Sequence, residues 1–291
     1  MNTKTCIIVT GPTAIGKTSY AIELAQQYNT RIISADSRQC FRELNIGVAK
    51  PSAEQLQSIQ HYFINSHSIH DEVNAKVFEQ YALDAILKIF ETSNVAIMAG
   101  GTGLYIKAFC EGLDEVPAVN EAIRSEISGA YKNMGLQWLR DEIKKQDPIY
   151  FSSGEIQNPQ RIMRALEVKL STGQSICNFH SGIKVERDFE IKKINLEIPR
   201  NELYKRINRR VDEMMKEGLL KEAETLFQYR HLNALQTVGY KEIFDFIEGK
   251  TLPGCRQVSL PQTIEEIKKN TRHFAKRQIT WFKKNGQSPG L

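Results

Sequence analysis

Long apolar runs, paired cysteines and an export signal are all missing from this sequence. No run approaches the roughly 18 apolar residues that a membrane-spanning helix needs, so a membrane span is excluded. The 5 cysteines are scattered and include no CxxC pair, which argues against both a disulfide scaffold and a zinc site. Nothing near the start has the pattern of a signal peptide. These absences predict a cytoplasmic protein with unpaired thiols.

The chain is long enough to bury a substantial core. Of its 291 residues, 41% are hydrophobic, and this size predicts one large domain together with a smaller one. Lys and Arg outnumber Asp and Glu by 39 to 34. The resulting net charge of +5 is compatible with an anionic partner but does not require one.

Apolar runs alternate with helical patterns in the N-terminal third of the chain. The runs at 6–10, 31–35 and 95–99 are continuous, as in parallel strands that are buried on both faces. Residues 17–28 and 78–91 instead repeat apolar side chains at helical spacing. Ligands of such sheets bind beyond the carboxyl ends of the strands, where this sequence places glycine and polar residues. We therefore expect the active site at that edge.

A phosphate-binding loop follows the first of these strands. Residues 11–18 match GxxxxGK[ST] and lie between a strand and a helix, as that motif requires. Backbone N–H groups and the helix N-terminus would surround a phosphate, Lys17 would add a full charge, and the Thr18 hydroxyl would bind Mg²⁺. A nucleotide such as ATP is the usual ligand, although the loop fits any diphosphate. The predicted phosphate-binding residues are Gly11, Pro12, Thr13, Ala14, Ile15, Gly16, Lys17 and Thr18.

The pattern changes in the middle of the chain. From 117 to 189 the sequence shows helical patterns without a buried strand, at 120–133 and at 136–146. A further helix is predicted to start at Asn158-Pro159, because Asn is a good cap and Pro suits the first helical position.

An alternating segment at 191–199 then returns to the sheet, and helices follow to the end. The predicted fold class is α/β, with a P-loop NTPase-like core whose parallel sheet is flanked by helices. The core is assigned to residues 1–116 and 190–291, and a helical insertion domain is assigned to 117–189.

Asp36 marks a difference from an ordinary NTPase. The strand at 95–99 ends in Gly100-Gly101 instead of a carboxylate placed for Mg²⁺, whereas Asp36 follows the strand at 31–35. Asp36 would serve as a metal ligand, a kinase-type base, a base toward another nucleophile, or a residue that caps a turn. Spacing alone leaves these roles open.

Segments spread over nearly the whole chain resemble the tRNA dimethylallyltransferase family, whose members transfer an isopentenyl group in tRNA modification. They occur in the family's order and are together far more specific than the phosphate-binding loop alone. The segments are Gly11-Pro12-Thr13 with Lys17-Thr18, Ala35-Asp36-Ser37-Arg38-Gln39, Gly47-Val48-Ala49-Lys50-Pro51, Gly100-Gly101-Thr102-Gly103-Leu104-Tyr105, Asn158-Pro159-Gln160-Arg161, Arg164-Ala165-Leu166-Glu167, Val238-Gly239-Tyr240-Lys241-Glu242, and Thr271-Arg272 with Ala275-Lys276-Arg277-Gln278 and Thr280-Trp281-Phe282.

One segment departs from the family's pattern. Residues 60–63 are Gln-His-Tyr-Phe, where the family usually has Pro-His-His-Leu, so a role for a histidine pair does not carry over. The zinc-finger tail of eukaryotic members is also missing, and we expect a member of the bacterial type.

The resemblance implies a donor, a cofactor and an acceptor. These are dimethylallyl diphosphate, Mg²⁺, and the exocyclic amine of the adenine 3′ of the anticodon in tRNA, with release of diphosphate. In that reaction Lys17 and the loop neutralise the leaving group, Asp36 accepts the proton of the amine, and Thr102 contacts the same base. We expect a monomer that binds the tRNA anticodon stem-loop and no membrane.

Basic and polar side chains are predicted to hold the tRNA, and the insertion domain at 117–189 is expected to contact it. Arg161 and Arg164 share one helical face and suit phosphates, as does Arg124, while the polar segment at 236–241 suits contacts with bases. The predicted tRNA-binding residues are Asp36, Ser37, Arg38, Gln39, Thr102, Arg124, Gln160, Arg161, Ile162, Met163, Arg164, Gln236, Thr237, Val238, Gly239, Tyr240 and Lys241.

Two basic runs have no settled role at this point. Residues 268–284 contain 7 Lys and Arg and no acidic residue, and the run at 200–210 is similar. Their basic sides face either RNA phosphates or solvent. The helical spacing of Phe274 and Trp281 predicts that these two aromatic side chains pack on the core.

Three other functions remain open from the residues. One is a P-loop kinase of a small metabolite, with Asp36 as base toward a hydroxyl. Another is a non-catalytic RNA-binding NTPase, and a third is prenyl transfer to a free adenine nucleotide. The arginine pair in the insertion favours a polymeric acceptor.

Overall fold

The computed structural model describes residues 3–250 and 259–285, which form two compact units. The core unit comprises Met1–Glu111 and Glu186–Leu291, and the insertion unit comprises Gly112–Val185. The insertion predicted at 117–189 overlaps the second unit and is shifted by a few residues toward the C-terminus.

The described residues contain five strands and eleven α-helices. The strands are β1 Thr5–Thr10, β2 Ile32–Ala35, β3 His61–Tyr62, β4 Val95–Gly100 and β5 Glu190–Asn195. The helices are α1 Lys17–Gln27, α2 Ala53–Ser58, α3 Ala75–Phe90, α4 Gly103–Glu111, α5 Glu121–Gln146, α6 Pro148–Ser153, α7 Pro159–Thr172, α8 Arg200–Glu217, α9 Leu219–Leu226, α10 Tyr240–Ile247 and α11 Leu260–Asn285. Within this described part, no helix has both the length and the apolar character to cross a membrane.

The strands of the core unit form one parallel sheet in the order β3–β2–β4–β1–β5. β1 lies between β4 and β5, so that Thr5 pairs with both Val95 and Glu190. The α/β fold predicted from the alternation of strands and helices is confirmed. Because β1, β2 and β4 are neighbours and run in the same direction, the loops that follow them meet at one edge of the sheet.

Burial on both faces explains why the central strands are continuous apolar runs. In β1, Ile7 and Val9 pack in a cluster with α1, whereas Cys6 and Ile8 pack with α3 on the opposite face. A strand covered by helices on both sides has no polar face, so its sequence does not alternate.

β3 was not predicted from the sequence. It is only two residues long and pairs with β2 alone, with His61 opposite Ile32. A strand this short at the edge of a sheet carries no apolar run that periodicity could detect.

The insertion unit has its own apolar core. Leu139 and Ile143 of α5 pack there with Ile162 and Leu166 of α7. Gly135 has non-helical dihedral angles (φ 76°, ψ −167°) and divides α5 at the break predicted between 133 and 136. The predicted start of α7 is also observed, since the Asn158 side chain accepts the backbone N–H of Gln160 at 3.1 Å.

Candidate active site

The phosphate-binding loop joins β1 to α1 in the conformation that its glycines permit. Gly11 and Gly16 have φ values of 142° and 106°, which side chains rarely adopt. Gly16 is also the residue before α1, and no side chain caps that helix. The first N–H groups of α1 are therefore available to an anion at the positive end of the helix dipole.

Lys17 lies back over this loop. Its Nζ donates to the carbonyl of Pro12 at 2.8 Å. Burial of the amine lowers the pKa of Lys17 to about 8, an effect that the carboxylate of Asp36 opposes and the guanidinium of Arg210 reinforces. The protonated amine is thus poorly solvated in this structure, and an anionic ligand would restore its interactions.

Arg210 of α8 is a second cation at the loop. Its Nη1 donates to the Thr13 hydroxyl at 3.2 Å, and burial lowers its pKa while Asp36 opposes the shift. The sequence contained a signal for this residue only in the unassigned basic run at 200–210. Which member of that run reaches the loop depends on how α8 packs.

Asp36 directly follows β2 and caps the turn there. Its Oδ1 accepts the backbone N–H groups of Arg38 at 2.8 Å and Gln39 at 3.2 Å. In the part of the chain that the structure describes, its Oδ2 accepts no hydrogen bond. The carboxylate therefore shapes the turn with one oxygen and keeps the other for a ligand.

Thr102 connects the turn after β4 to the turn after β2. Its N–H donates to the carbonyl of Ala35 at 3.1 Å, and its Oγ1 accepts the N–H of Ser37 at 3.0 Å. The ends of β4 and β2 approach so closely that a Cβ at Gly100 would lie 2.1 Å from the Ala35 oxygen. Thr102 and Asp36 are consequently brought side by side.

Two adjacent cavities open at this edge of the core unit. The loop cavity is lined by the phosphate-binding loop and by a mainly apolar wall that comprises Ala21, Ile32, Val48, Pro51 and Ile64. The wide cavity is lined by polar and basic residues, among them Ser37, Arg38, Thr102, Gln236, Thr237, Gly239, Lys241 and Arg277, and also by the acidic residues Glu242, Asp245 and Glu266. The two cavities share Thr13, Asp36, Val48, Ala49, Arg210 and Phe274.

Tyr240 differs from its neighbours in the predicted tRNA-binding segment. Gln236, Thr237, Val238, Gly239 and Lys241 line the wide cavity, but the Tyr240 side chain is fully buried. An RNA contact in this segment therefore has to come from the residues around it.

The Tyr240 hydroxyl instead donates to the carboxylate of Glu222 on α9. That carboxylate also accepts the N–H groups of Ile46 at 2.8 Å and Gly47 at 3.0 Å. Tyr240 and Glu222 together thus hold the short 3-10 turn Ile46–Val48 at the cavity wall, and Gln39 fixes the same turn by donating to Ala49 O at 2.9 Å. No motif in the sequence pointed to Glu222.

Phe274 corrects one expectation from the sequence. It was predicted to pack on the core, yet it is 39% exposed and lines both cavities. The helical face that it shares with buried residues of α11 passes over the site, which is open at this point. Trp281 does pack as predicted, since a Cβ at Gly103 would lie 2.0 Å from its indole nitrogen.

The segment that departs from the family's pattern also reaches the site. His61 lines the loop cavity, its Nδ1 donates to Ile59 O at 2.8 Å, and burial lowers its pKa. Burial therefore favours the neutral imidazole, while the hydrogen bond to Ile59 opposes the lowering of the pKa. Phe63 is fully buried in the core.

Two arginines of the insertion unit, Arg124 and Arg164, lie against one carboxylate. Glu167 Oε2 lies 3.7 Å from Arg124 Nε and 3.5 Å from Arg164 Nη1, and its side chain is nearly buried. Arg161 and Gln160 are exposed at the start of α7. The side chains of Ile162 and Met163, which were also predicted to bind tRNA, are buried in the core of this unit and serve its packing.

The residues of the loop cavity fit a magnesium ion that is held together with phosphates. Thr18 and Asp36 both line this cavity and offer oxygen ligands. Nowhere in 3–250 or 259–285 do three or more His, Cys, Asp or Glu side chains cluster as a metal site. One or two protein oxygens, completed by phosphate oxygens and water, are the usual environment of Mg²⁺.

Comparisons with known proteins agree on one family. The model of the family described as IPP transferase matches residues 39–285. The tRNA dimethylallyltransferase of Cytophaga hutchinsonii is 44% identical over 284 residues, which are 98% of this chain and 91% of that protein. The tRNA dimethylallyltransferase of Flavobacterium psychrophilum is 46% identical over 284 residues, covering 96% and 90% of the two chains. The crystal structure of the tRNA isopentenylpyrophosphate transferase from Bacillus halodurans superimposes with a TM-score of 0.68 at 33% identity, covering 99% of this chain and 89% of that one.

Proposed function

The chain belongs to the IPP transferase family and is a tRNA prenyltransferase, and we propose that it transfers a dimethylallyl group from dimethylallyl diphosphate to tRNA. The acceptor in this proposal is N6 of the adenine 3′ of the anticodon. One observation carries it. The phosphate-binding loop and the pair of Asp36 and Thr102 face two adjacent cavities that share Thr13, Asp36 and Arg210.

The loop cavity suits the donor at both ends. The loop N–H groups, Lys17 and Arg210 supply positive charge for a diphosphate. The apolar wall around Ile32 and Ile64 suits a five-carbon chain that carries no polar group. Thr18 would hold Mg²⁺, which adds further positive charge for the diphosphate when it is bound.

Bond breaking and bond making are served by different residues. The allylic C–O bond breaks and leaves its electron pair on diphosphate, whose charge Lys17 and Arg210 neutralise. The adenine N6 forms a bond to the same carbon, and its proton passes to Asp36 as positive charge develops on the nitrogen. Thr102 lies beside Asp36 and contacts the base.

The wide cavity suits the acceptor nucleotide and its neighbours. Its polar lining includes Arg38 and Lys241 together with the segment 236–239, which fits an adenine that has been turned out of the anticodon loop. In the insertion unit, Arg124, Arg161 and Arg164 are proposed to hold tRNA phosphates.

The decisive experiment supplies dimethylallyl diphosphate, Mg²⁺ and an unmodified anticodon stem-loop, followed by mass spectrometry of the nucleosides. We expect adenosine to gain C5H8, and a stem-loop with guanine in place of that adenine to gain nothing. Free AMP in place of the stem-loop tests prenyl transfer to a free nucleotide. A small-molecule hydroxyl acceptor together with ATP tests kinase activity. No gain on the stem-loop, or a gain on AMP alone, would contradict the proposal.

We also infer a cytoplasmic location, because tRNA is found there and the thiols are unpaired. Cys6, Cys40, Cys110 and Cys177 are free, and Cys255 lies outside the described residues. The monomeric state stays a prediction.

A further inference from the structure

Gln278 of α11 is buried between two loops of the core unit and uses both polar atoms of its side-chain amide. Its Oε1 accepts the backbone N–H of Thr13 at 2.8 Å, and its Nε2 donates to the carbonyl of Gly101 at 2.9 Å. Thr13 belongs to the phosphate-binding loop, and Gly101 belongs to the turn after β4. The amide therefore joins the loop after β1 to the turn after β4.

The two partners require an amide of this length. Thr13 offers a donor and Gly101 an acceptor, so the bridging side chain must present one acceptor and one donor. A Cβ at Gly101 would lie 2.2 Å from Nε2, which shows how closely the amide rests on the turn. A buried amide with both hydrogen bonds made holds its surroundings in one arrangement.

The turn that Gln278 holds continues directly into the acceptor side of the site. Thr102 follows Gly101, and its Oγ1 accepts the N–H of Ser37 at 3.0 Å. Ser37 in turn follows Asp36. Hydrogen bonds of Gln278 and Thr102, joined by the peptide bond between Gly101 and Thr102, thus connect the phosphate-binding loop to the backbone beside Asp36.

We propose that Gln278 is a positioning residue that sets the separation between the donor diphosphate and the acceptor amine. The inference rests on the proposed function, because it takes the diphosphate to lie in the loop and the amine to face Asp36. Transfer requires the allylic carbon and the amine nitrogen in line and in near contact. A displacement of about 1 Å between reacting groups can cost roughly a hundredfold in rate.

The first test compares Gln278→Met with Thr280→Ala. The methionine keeps the approximate shape but removes both hydrogen bonds, whereas the exposed Thr280 donates only within its own helix, to Lys276 O at 3.0 Å. Single-turnover rates are measured with enzyme in excess over tRNA, so that the rate constant does not depend on the folded fraction. We expect Gln278→Met to lower this constant roughly 10- to 100-fold with unchanged tRNA and donor affinity, and Thr280→Ala to leave it unchanged. An unchanged constant in Gln278→Met overturns the proposal.

Gln278→Glu tests the hydrogen-bond pattern itself, and it decides the question if Gln278→Met does not fold. The ionised carboxylate still accepts from Thr13 but sets a second acceptor against Gly101 O. Burial and this repulsion raise the pKa of the introduced carboxyl, and its protonated form regains a donor. The rate of this variant, divided by that of the wild type at the same pH, should therefore rise as the pH falls. A ratio that does not change with pH contradicts the inference.

A double-mutant cycle with Thr102→Ala separates positioning from general destabilisation. If Gln278 acts through the turn that carries Thr102, the losses in single-turnover rate are non-additive, while independent effects add. Additive losses would overturn the inference. Activity of the wild type separates failure of the proposed function from failure of this inference. A wild type that does not use dimethylallyl diphosphate contradicts the proposed function. An active wild type with unimpaired Gln278 variants contradicts only the inference about Gln278.

Discussion

Asp36 caps a turn and, in the proposed reaction, also takes the proton of the amine. Oδ1 holds the turn by accepting two backbone N–H groups at 2.8 and 3.2 Å, while the carboxylate as a whole faces both cavities. The amide of asparagine has an oxygen that can accept the same two bonds. The two tasks of Asp36 can therefore be separated by a single substitution.

We predict that Asp36→Asn retains the fold and donor binding but loses most turnover. The variant cannot take the proton of the amine, and removal of a general base typically costs about a hundred- to ten-thousand-fold in rate. Single-turnover kinetics, with saturating enzyme and dimethylallyl diphosphate and with tRNA limiting, measure this loss. Asp71→Asn is the matched control, since Asp71 also caps a backbone N–H, that of Ser68 at 2.7 Å, but lines neither cavity. Near-normal turnover in Asp36→Asn would mean that Asp36 only caps the turn and does not act as the base.

Lys17 should make donor binding dependent on pH. Its pKa of about 8 without ligand rises when diphosphate binds, so binding takes up a proton where the amine is neutral. The contribution of Lys17 to the affinity for dimethylallyl diphosphate is thus expected to be constant below pH about 8 and to fall as the pH rises above it. Calorimetric titration at several pH values measures this effect.

Substitutions of Lys17 provide the controls for that dependence. Lys17→Arg keeps its charge throughout this range and should remove the fall in affinity. Lys17→Ala should weaken donor binding and slow the chemical step at every pH, because the charge contacts the leaving group in both states. The assignment would be wrong if Lys17→Ala changed tRNA affinity alone.

At the scale of elements, Arg164 of α7 and Arg124 of α5 lie beside one nearly buried carboxylate, that of Glu167. Glu167 lies 3.5 Å from Arg164 and 3.7 Å from Arg124, so removal of one arginine leaves the carboxylate with a cationic neighbour. The helix should for that reason tolerate substitution of Arg161 and Arg164 without unfolding.

We predict that the double substitution of Arg161 and Arg164 by Ala weakens tRNA binding and flattens its salt dependence. Each phosphate that the variant no longer binds should reduce the log–log slope by roughly 0.7 to 0.9. Donor affinity should not change, because the residues proposed to bind the donor belong to the core unit. Substitution of Lys144 and Lys145 by Ala removes equal charge from the end of α5 and controls for net charge. An unchanged slope in the folded arginine variant would mean that Arg161 and Arg164 face solvent and do not bind tRNA phosphates.

Packing of the turn Ile46–Val48 against α10 leaves no space at Gly47. A Cβ there would lie 2.5 Å from the buried ring of Tyr240. Gly47→Ala is therefore expected to destabilise the protein by about 1 to 3 kcal/mol, as overpacking typically does, and to lower activity by displacing the turn.

Urea denaturation measures that change in the free energy of unfolding. Gly129→Ala is the control, because a Cβ at this position in α5 meets nothing within 4 Å and alanine favours a helix by up to about 1 kcal/mol. The two glycine substitutions should thus have opposite signs. An equal free energy of unfolding for Gly47→Ala and the wild type would contradict this prediction, because it would mean that the Tyr240 ring can move aside without loss of stability.

At the scale of the whole molecule, the two units have separate apolar cores. The loop cavity and the wide cavity are both lined by residues of the core unit. The insertion unit has an apolar core of its own, which includes Leu139 and Leu166. A ligand of the core unit should therefore stabilise that unit selectively.

We predict that diphosphate with Mg²⁺ slows amide hydrogen exchange in β1 and β4 but not in α7. At about 100 times its dissociation constant, a ligand of the native state adds about 2.7 kcal/mol to the stability of the unit that binds it. Exchange is followed on the full chain by mass spectrometry, with Lys17→Ala as the variant that should not respond. Equal protection of α7 would mean that the two units unfold together.

Features that depend on neighbours along the chain follow from the amino-acid sequence alone. The phosphate-binding loop, the buried central strands, the break at Gly135 and the start of α7 at Asn158 are all predicted by local patterns. Each of these depends on backbone preferences, capping or periodicity within a few residues, so distant parts of the chain are not needed to predict them.

Which side chains meet at the site depends instead on the tertiary structure. Arg210, Glu222, Phe274 and Gln278 all lie on C-terminal helices, yet their partners or cavities are formed by loops near the N-terminus. Helical periodicity shows which face of a helix is buried, but it does not show which loop that face meets. Phe274 follows the buried spacing of its helix and still lies over an open cavity. Hydrogen bonds and packing between segments that are far apart in sequence depend on how the helices are placed against the sheet, and that placement is a property of the whole core.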